Sequence, residues 1–399
     1  MQAEPPFHSL FSARLKSLRH RGALLLAGLS LLSGLAWAMP ADPISRAEIA
    51  LFMPREADDT FWSMFRDFTQ AACNDLGMDL RVYYAHDDPA TALKQIKAAT
   101  SGPNPVQGLV FQNFKQTGRQ FLEIAEKARV PSFIIDTGLD ESERKRVGKP
   151  RETFQYWLGE FLPENEEAGF DLANRLLDRA LELKQVDFEA NPFAKIQIIG
   201  LAGENLSNAS SDRIKGLGIA ARGRKDTLLQ DMIPAYWSRD QARLRTRQLL
   251  QQAPPGSIQV IWAANDPMAL GATDALKELG LTPGKDVVAG GVDWTAEGLQ
   301  AVQAGVLDAT VGGHFMQGAW AAVMLYDYFR GQDFAKESVE MRLRMQILDK
   351  QNIDTYLQYF SKSNWEQINF REFSKVANPE RKKYNFGLQA LLEQLQQKK

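Results

Sequence analysis

The sequence predicts an α/β protein of two successive lobes, each a parallel sheet with helices on both faces. Three observations predict it. From Glu48 onward, short apolar runs alternate with longer amphipathic segments. The alternation starts afresh near Glu164. Polar residues close the apolar runs in both halves, where ligands bind in open parallel sheets.

The first half reads in order. Residues 49–53 form a buried strand, and 59–76 a helix with Asp58 or Asp59 near its cap. Strands at 80–84, 106–111 and 132–135 alternate with helices at 89–100 and 115–128. The second half opens with a long helix at 164–184. Strands follow at 196–201, 228–233, 260–263, 287–292 and 309–311. Helices at 211–221, 239–253, 267–279, 295–304 and 317–330 separate or follow them. This alternation argues for parallel sheets with helices on both faces.

The chain has 399 residues, 44% of them hydrophobic, enough for two domains. Its 47 Lys and Arg nearly balance its 49 Asp and Glu, so no basic surface calls for nucleic acid. Residues 1–38 read as a secretory leader. Arg14, Lys16, Arg19 and Arg21 precede the apolar run 22–35, and Ala36-Trp37-Ala38 gives the small-x-small cleavage pattern. The mature chain would begin at Met39 in a periplasm. Cys73 is the only cysteine, so no intrachain disulfide forms, and its helical setting reads as core.

The strand ends and their flanks offer Arg55, Asp59, Asp136, Asn265, Asp266 and Asp293. Phe61, Trp62, Trp237 and Trp294 sit nearby in sequence. Carboxylates and amides beside flat rings suit a sugar-like ligand, because hydroxyls need acceptors and pyranose C–H faces pack on rings. An Asp or Asn in such a place also caps helices. The same chemistry at four strand ends favours a site. The sequence holds no Gly-x-Ser-x-Gly, Walker loop or His-Glu-x-x-His, which speaks against an enzyme.

Several stretches resemble the type I periplasmic binding proteins, in the ribose and galactose branch. Ala264-Asn-Asp-Pro-Met-Ala-Leu-Gly-Ala272 is similar to the family's A-x-N-D-x-M-A-L-G-A. Gly290-Gly-Val-Asp293 is similar to its G-[FY]-D, and Gly305-Val-Leu-Asp-Ala-Thr310 to its G-x-L-x-A-T. The resemblance covers about Ala47 to Leu348. It implies two Rossmann-like lobes joined by a three-stranded hinge, closing on a small polar ligand. The implied division is lobe 1 at 39–160 and 314–341, lobe 2 at 161–313 and 342–350, and an extension at 351–399.

By the same resemblance, Asp59 stands where the family has a ligand-binding Asn, followed by the aromatics Phe61 and Trp62. Asp136, Trp237, Asn265 and Asp293 match further ligand contacts, with Arg55 beside them. In Ser207–Gly216, Ser211 stands where the ligand-contacting Arg is usual, and Arg213 matches a second, structural Arg. His314 follows Gly313, where the family has Gln or Asn, and is expected to substitute as a hydrogen-bonding group. The resemblance implies a monomer that binds no metal or cofactor and no nucleic acid. Its partner would be an ABC permease or, alternatively, a membrane sensor. Lac-repressor-type regulators share the fold but need a DNA-binding head where this chain has a leader. The extension, rich in Phe and Tyr, is expected to strap one lobe or to dock a partner.

Overall fold

The computed structural model describes residues 46–361 and 363–397. The leader expected at 1–38 lies outside them.

Among the described residues, twelve strands form two six-stranded sheets. The first sheet contains β1 (Glu48–Met53), β2 (Asp79–Tyr84), β3 (Gly108–Phe111), β4 (Ser132–Ile135) and β5 (Trp157–Pro163). The second contains β6 (Ile196–Ala202), β7 (Thr227–Pro234), β8 (Val260–Ala263), β9 (Val288–Asp293) and β10 (Ala309–Gly312). β11 (Glu340–Leu343) returns to the first sheet and β12 (Gln346–Asp349) to the second. The orders are β11-β5-β4-β3-β1-β2 and β12-β10-β9-β8-β6-β7, the same winding twice. All pairs are parallel except β10 with β12.

Both faces of the central strands are buried, which explains their apolar runs. In β1, Ile49, Leu51 and Met53 face one core, while Ala50 and Phe52 face another. That alternation is the two-residue period of a strand read from both sides.

The chain passes between the lobes after β5, after β10 and between β11 and β12, the three-stranded hinge. β5 stays in the first sheet to Pro163 and β11 to Leu343, slightly beyond the divisions expected at 160 and 341. The Glu164 amide donates to the Leu343 carbonyl at 2.9 Å, so two crossings run side by side.

β5 and the helix Glu141–Val147 are absent from the sequence reading. Gly159 and Glu160 interrupt the apolar run of β5. Glu160 is wholly buried and accepts from Arg144 at 2.6 Å and Arg342 at 3.0 Å. Its burial depends on partners that the local pattern cannot reveal.

The C-terminal extension lies on both lobes, which corrects the expected strap on one. The helix Ile353–Phe360 rests on the second lobe, with Tyr356 4.9 Å from Trp294 between ring centroids. Trp365 then meets Phe68 of the first lobe at 5.2 Å and Phe315 of the hinge at 5.5 Å. Phe373 and Phe386 flank Trp320 at 5.0 and 4.9 Å. Buried Asp327 accepts from the Ser374 hydroxyl, the Lys375 and Val376 amides and the Tyr384 hydroxyl. Cys73 is fully buried in the helix Thr60–Leu76, and burial pushes its thiol up. Among the described residues no helix is long and apolar enough to cross a membrane.

Candidate functional site

The carboxyl ends of the parallel strands meet at a cleft between the lobes. From the first lobe come Arg55 after β1 and Asp59, Phe61 and Trp62 at the start of the helix Thr60–Leu76. Gln112 follows β3, and Asp136 and Thr137 follow β4. From the second come Glu204, Arg213, Trp237, Asn265 and Asp293, with His314 at the hinge.

Asp59 does two jobs. Its Oδ1 accepts from the Phe61 and Trp62 amides, each at 3.0 Å, and so caps the helix. Its Oδ2 has no hydrogen-bond partner among the described residues and is left for the cleft. Burial pushes the carboxyl up, against the pull of the two amides and Arg55. Asn265 repeats the device: Oδ1 caps through the Met268 amide at 3.0 Å, and Nδ2 is left over. Cap and site are therefore one residue at both places.

Asp136, Trp237 and Asp293 hold φ of 55°, 63° and 134°, a region that residues with side chains rarely adopt. Such strain gathers where a side chain must be aimed. The Asp136 Oδ2 accepts from the Thr137 hydroxyl at 2.9 Å, and its amide donates to Gln317 Oε1 at 3.0 Å. Asp293 is 5% exposed. Burial raises its carboxyl well above the ordinary range, Arg213 opposes this, and Asp59 and Asp136 add to it. Thr295, not Asp293, caps the helix that follows.

Arg213 forms the floor and is the residue that sequence reasoning assigned to structure alone. Its Nε donates to Asn165 Oδ1 at 2.8 Å and Nη1 to the Ala264 carbonyl at 2.7 Å. Nη2 lies 3.3 Å from His314 Nε2, and the guanidinium lies 5.9 Å from the Trp237 ring centroid. Helix contact puts it there. A Cβ on Gly169 would fall 2.0 Å from the Arg213 carbonyl, and one on Gly216 1.9 Å from that of Glu166. The helices Asn165–Glu182 and Asn208–Gly223 thus touch backbone to backbone.

Ser211 is corrected. It is exposed, its hydroxyl turns back to the Asn208 carbonyl at 3.1 Å, and it does not line the cleft. At 100° per residue, Ser211 points about 200° away from Ala209 and Arg213, which share the inner face. Asp266 and Trp294 also lie elsewhere. Asp266 accepts from the Thr295 and Thr310 hydroxyls in the lobe interior, and Trp294 is buried beneath the extension. Gln112, Thr137 and Glu204 went unseen; each follows an apolar run, and that placement was the available signal.

His314 is a neutral ring in the hinge. Burial first, then Arg213, pushes it down to about 3. With Nε2 accepting from Arg213, the proton belongs on Nδ1, which is buried without a partner among the described residues. Its ring stacks on Phe61 at 4.6 Å. Trp237 needs Gly203, where a Cβ would come within 2.2 Å of the indole.

Residues 49–333 match the model of the periplasmic binding protein domain. The chain belongs to the type I periplasmic binding protein family. This binding protein is 27% identical over 254 residues to a ribose import binding protein of Haemophilus influenzae, covering 64% of this chain and 76% of that one. It is 25% identical to a fructose import binding protein of Bifidobacterium longum, over 67% of this chain and 75% of that one. A periplasmic sugar-binding protein from Pseudomonas fluorescens superposes with a TM-score of 0.76 at 30% identity, covering 87% of this chain and 99% of that one. These relatives are, by name, import binding or sugar-binding proteins and not enzymes.

Proposed function

We propose that the chain captures a sugar or sugar-like polyol in the periplasm and delivers it to an ABC importer. One observation carries the reading. Phe61, Trp62 and Trp237 line the cleft together with Asp59, Asp136, Asn265 and Asp293. Rings accept the C–H faces of a sugar, and the free oxygens and amide accept and donate to its hydroxyls. The leader pattern of residues 1–38 supports export, and the import-binding relatives support the partner.

A thermal-shift screen of sugars and polyols on the mature chain tests it, followed by calorimetry. A ligand at a hundred times its Kd adds about 2.7 kcal/mol of stability. Scattering should show a smaller radius on saturation. A panel of sugars and polyols that leaves the melt unmoved sinks the reading.

A further inference from the structure

We infer that the cleft is built for a polyhydroxylated solute carrying a protonated amine, an aminated sugar or cyclitol, with its ammonium set among Asp59, Asp136 and Asp293. The inference rests on the solute-binding reading above and narrows its ligand class.

Charge comes first. Among the described residues, five acidic side chains line the cleft, Asp59, Asp87, Asp136, Glu204 and Asp293, against Arg55, Lys115 and Arg213. The cations at the rim are taken: Arg55 pairs with Glu204 at 3.1 Å and Lys115 with Asp87 at 3.0 Å. Three carboxylates then face one guanidinium in the interior. That guanidinium is engaged by Asn165, Ala264 and His314. Asp293 Oδ1 lies 3.6 Å from Nη1, too far for a hydrogen bond, because that nitrogen is turned to Ala264.

A neutral sugar would leave this excess in place. The cost of unpaired carboxylates grows as closure dries the cleft. An ammonium favours the ionised forms of the raised Asp59 and Asp293 carboxyls and satisfies Asp59 Oδ2 and Asp136 Oδ1, which have no hydrogen-bond partner among the described residues. The rings of Phe61, Trp62 and Trp237 can also face a cation.

A second observation places hydroxyls on the same solute. Gln112 is 6% exposed, lines the cleft, and has a buried Nε2 with no partner among the described residues. His314 Nδ1 is in the same condition. These are donors, and an ammonium cannot fill them; a hydroxyl oxygen can.

The test titrates matched pairs into the mature chain by calorimetry at slightly acid pH: glucose and glucosamine, galactose and galactosamine, inositol and an aminated inositol. The variant is Asp59→Asn. Asn caps a helix as well as Asp does, so the fold should hold while the charge goes. Asp136→Asn is the second variant, should Asp59→Asn fail to fold. We expect at least one aminated member to bind wild type tenfold or more tighter than its neutral partner, and the ratio to fall about tenfold in the variant. Binding should also release protons, read from heats in buffers of different ionisation enthalpy, because an ammonium favours the ionised carboxylates. Neutral members that bind as tightly as aminated ones overturn the inference and leave the sugar reading standing. An unchanged ratio in the variant overturns it too, because the preference would then have another source. Silence from both series removes both readings.

Discussion

Arg55 Nη2 of the first lobe lies 3.1 Å from Glu204 Oε1 of the second, across the mouth of the cleft. Beside it, Asn208 Nδ2 donates to the Gly138 carbonyl at 3.1 Å. These two bonds form only when the lobes are together, so they add to the free energy of closure. The Arg55 and Glu204 side chains are 27% and 24% exposed, which makes their pair a modest one of about 0.2–1 kcal/mol. Arg55→Ala should weaken ligand binding by about two- to fivefold, mainly through faster release. Stopped-flow dissociation checks this. The difference from wild type should shrink in high salt, which screens the pair.

Gly203→Ala places a methyl where the Trp237 indole sits, 2.2 Å from its nearest carbons. The ring must leave its seat over Arg213. Overpacking of this kind costs about 1–3 kcal/mol of stability. Affinity should fall by about tenfold as the ring face is lost to the ligand. Melting curves and calorimetry on one preparation separate the two effects.

The pH dependence has two opposed arms. Asp266 is pushed up to about 8, by burial and then by the charge of Asp293. The folded state therefore keeps a proton that the unfolded chain gives up at its ordinary value of 3.8. That stability is complete below about pH 4 and is lost as pH rises to about 8. His314 works the other way, because it is held at about 3 against an ordinary 6.5. As pH falls through that window, the unfolded chain takes up a proton that the folded ring refuses, and stability is lost. Between about pH 4 and 6.5 the two slopes offset each other, so Asp266→Asn should remove the fall between about pH 6.5 and 8, and His314→Gln the fall below about pH 4. Chemical denaturation across the two windows reads both slopes.

Asp327→Ala leaves the Ser374 and Tyr384 hydroxyls and the Lys375 and Val376 amides without their common acceptor. Stranding buried donors costs about 1–3 kcal/mol each, with strong overlap among neighbours. We expect a loss of about 3–5 kcal/mol and faster proteolysis within residues 363–397. Retained protection of that segment would show that aromatic packing alone holds it.

Most of the site was legible because it follows from topology. Once two parallel sheets were read, the residues after each strand had to point into one cleft, and Asp59, Asp136, Asn265 and Asp293 do. What failed depended on angle or distance. Ser211 and Arg213 lie two residues apart, and only the facing of the helix decides which one enters the cleft. Asp266 and Trp294 each adjoin a residue that lines the cleft and point the opposite way. β5 was hidden because Glu160 is buried by Arg144 and Arg342, which come from other elements. The reach of the extension over both lobes was also invisible, since aromatic composition shows that a segment will pack and not what it will pack against.

That extension ties the lobes together a fourth time, with Tyr356 on one and Trp365 on the other. A tether across a hinge removes the widest-open members of the unliganded ensemble. Apparent affinity is the intrinsic value diluted by the fraction of molecules competent to bind, so trimming that ensemble raises the fraction. Each tenfold gain is worth about 1.4 kcal/mol without one added ligand contact. The same restriction narrows the difference in shape between empty and loaded protein. A partner that recognises loading by shape then has less contrast to read, so the tether sets retention of solute against fidelity of signal.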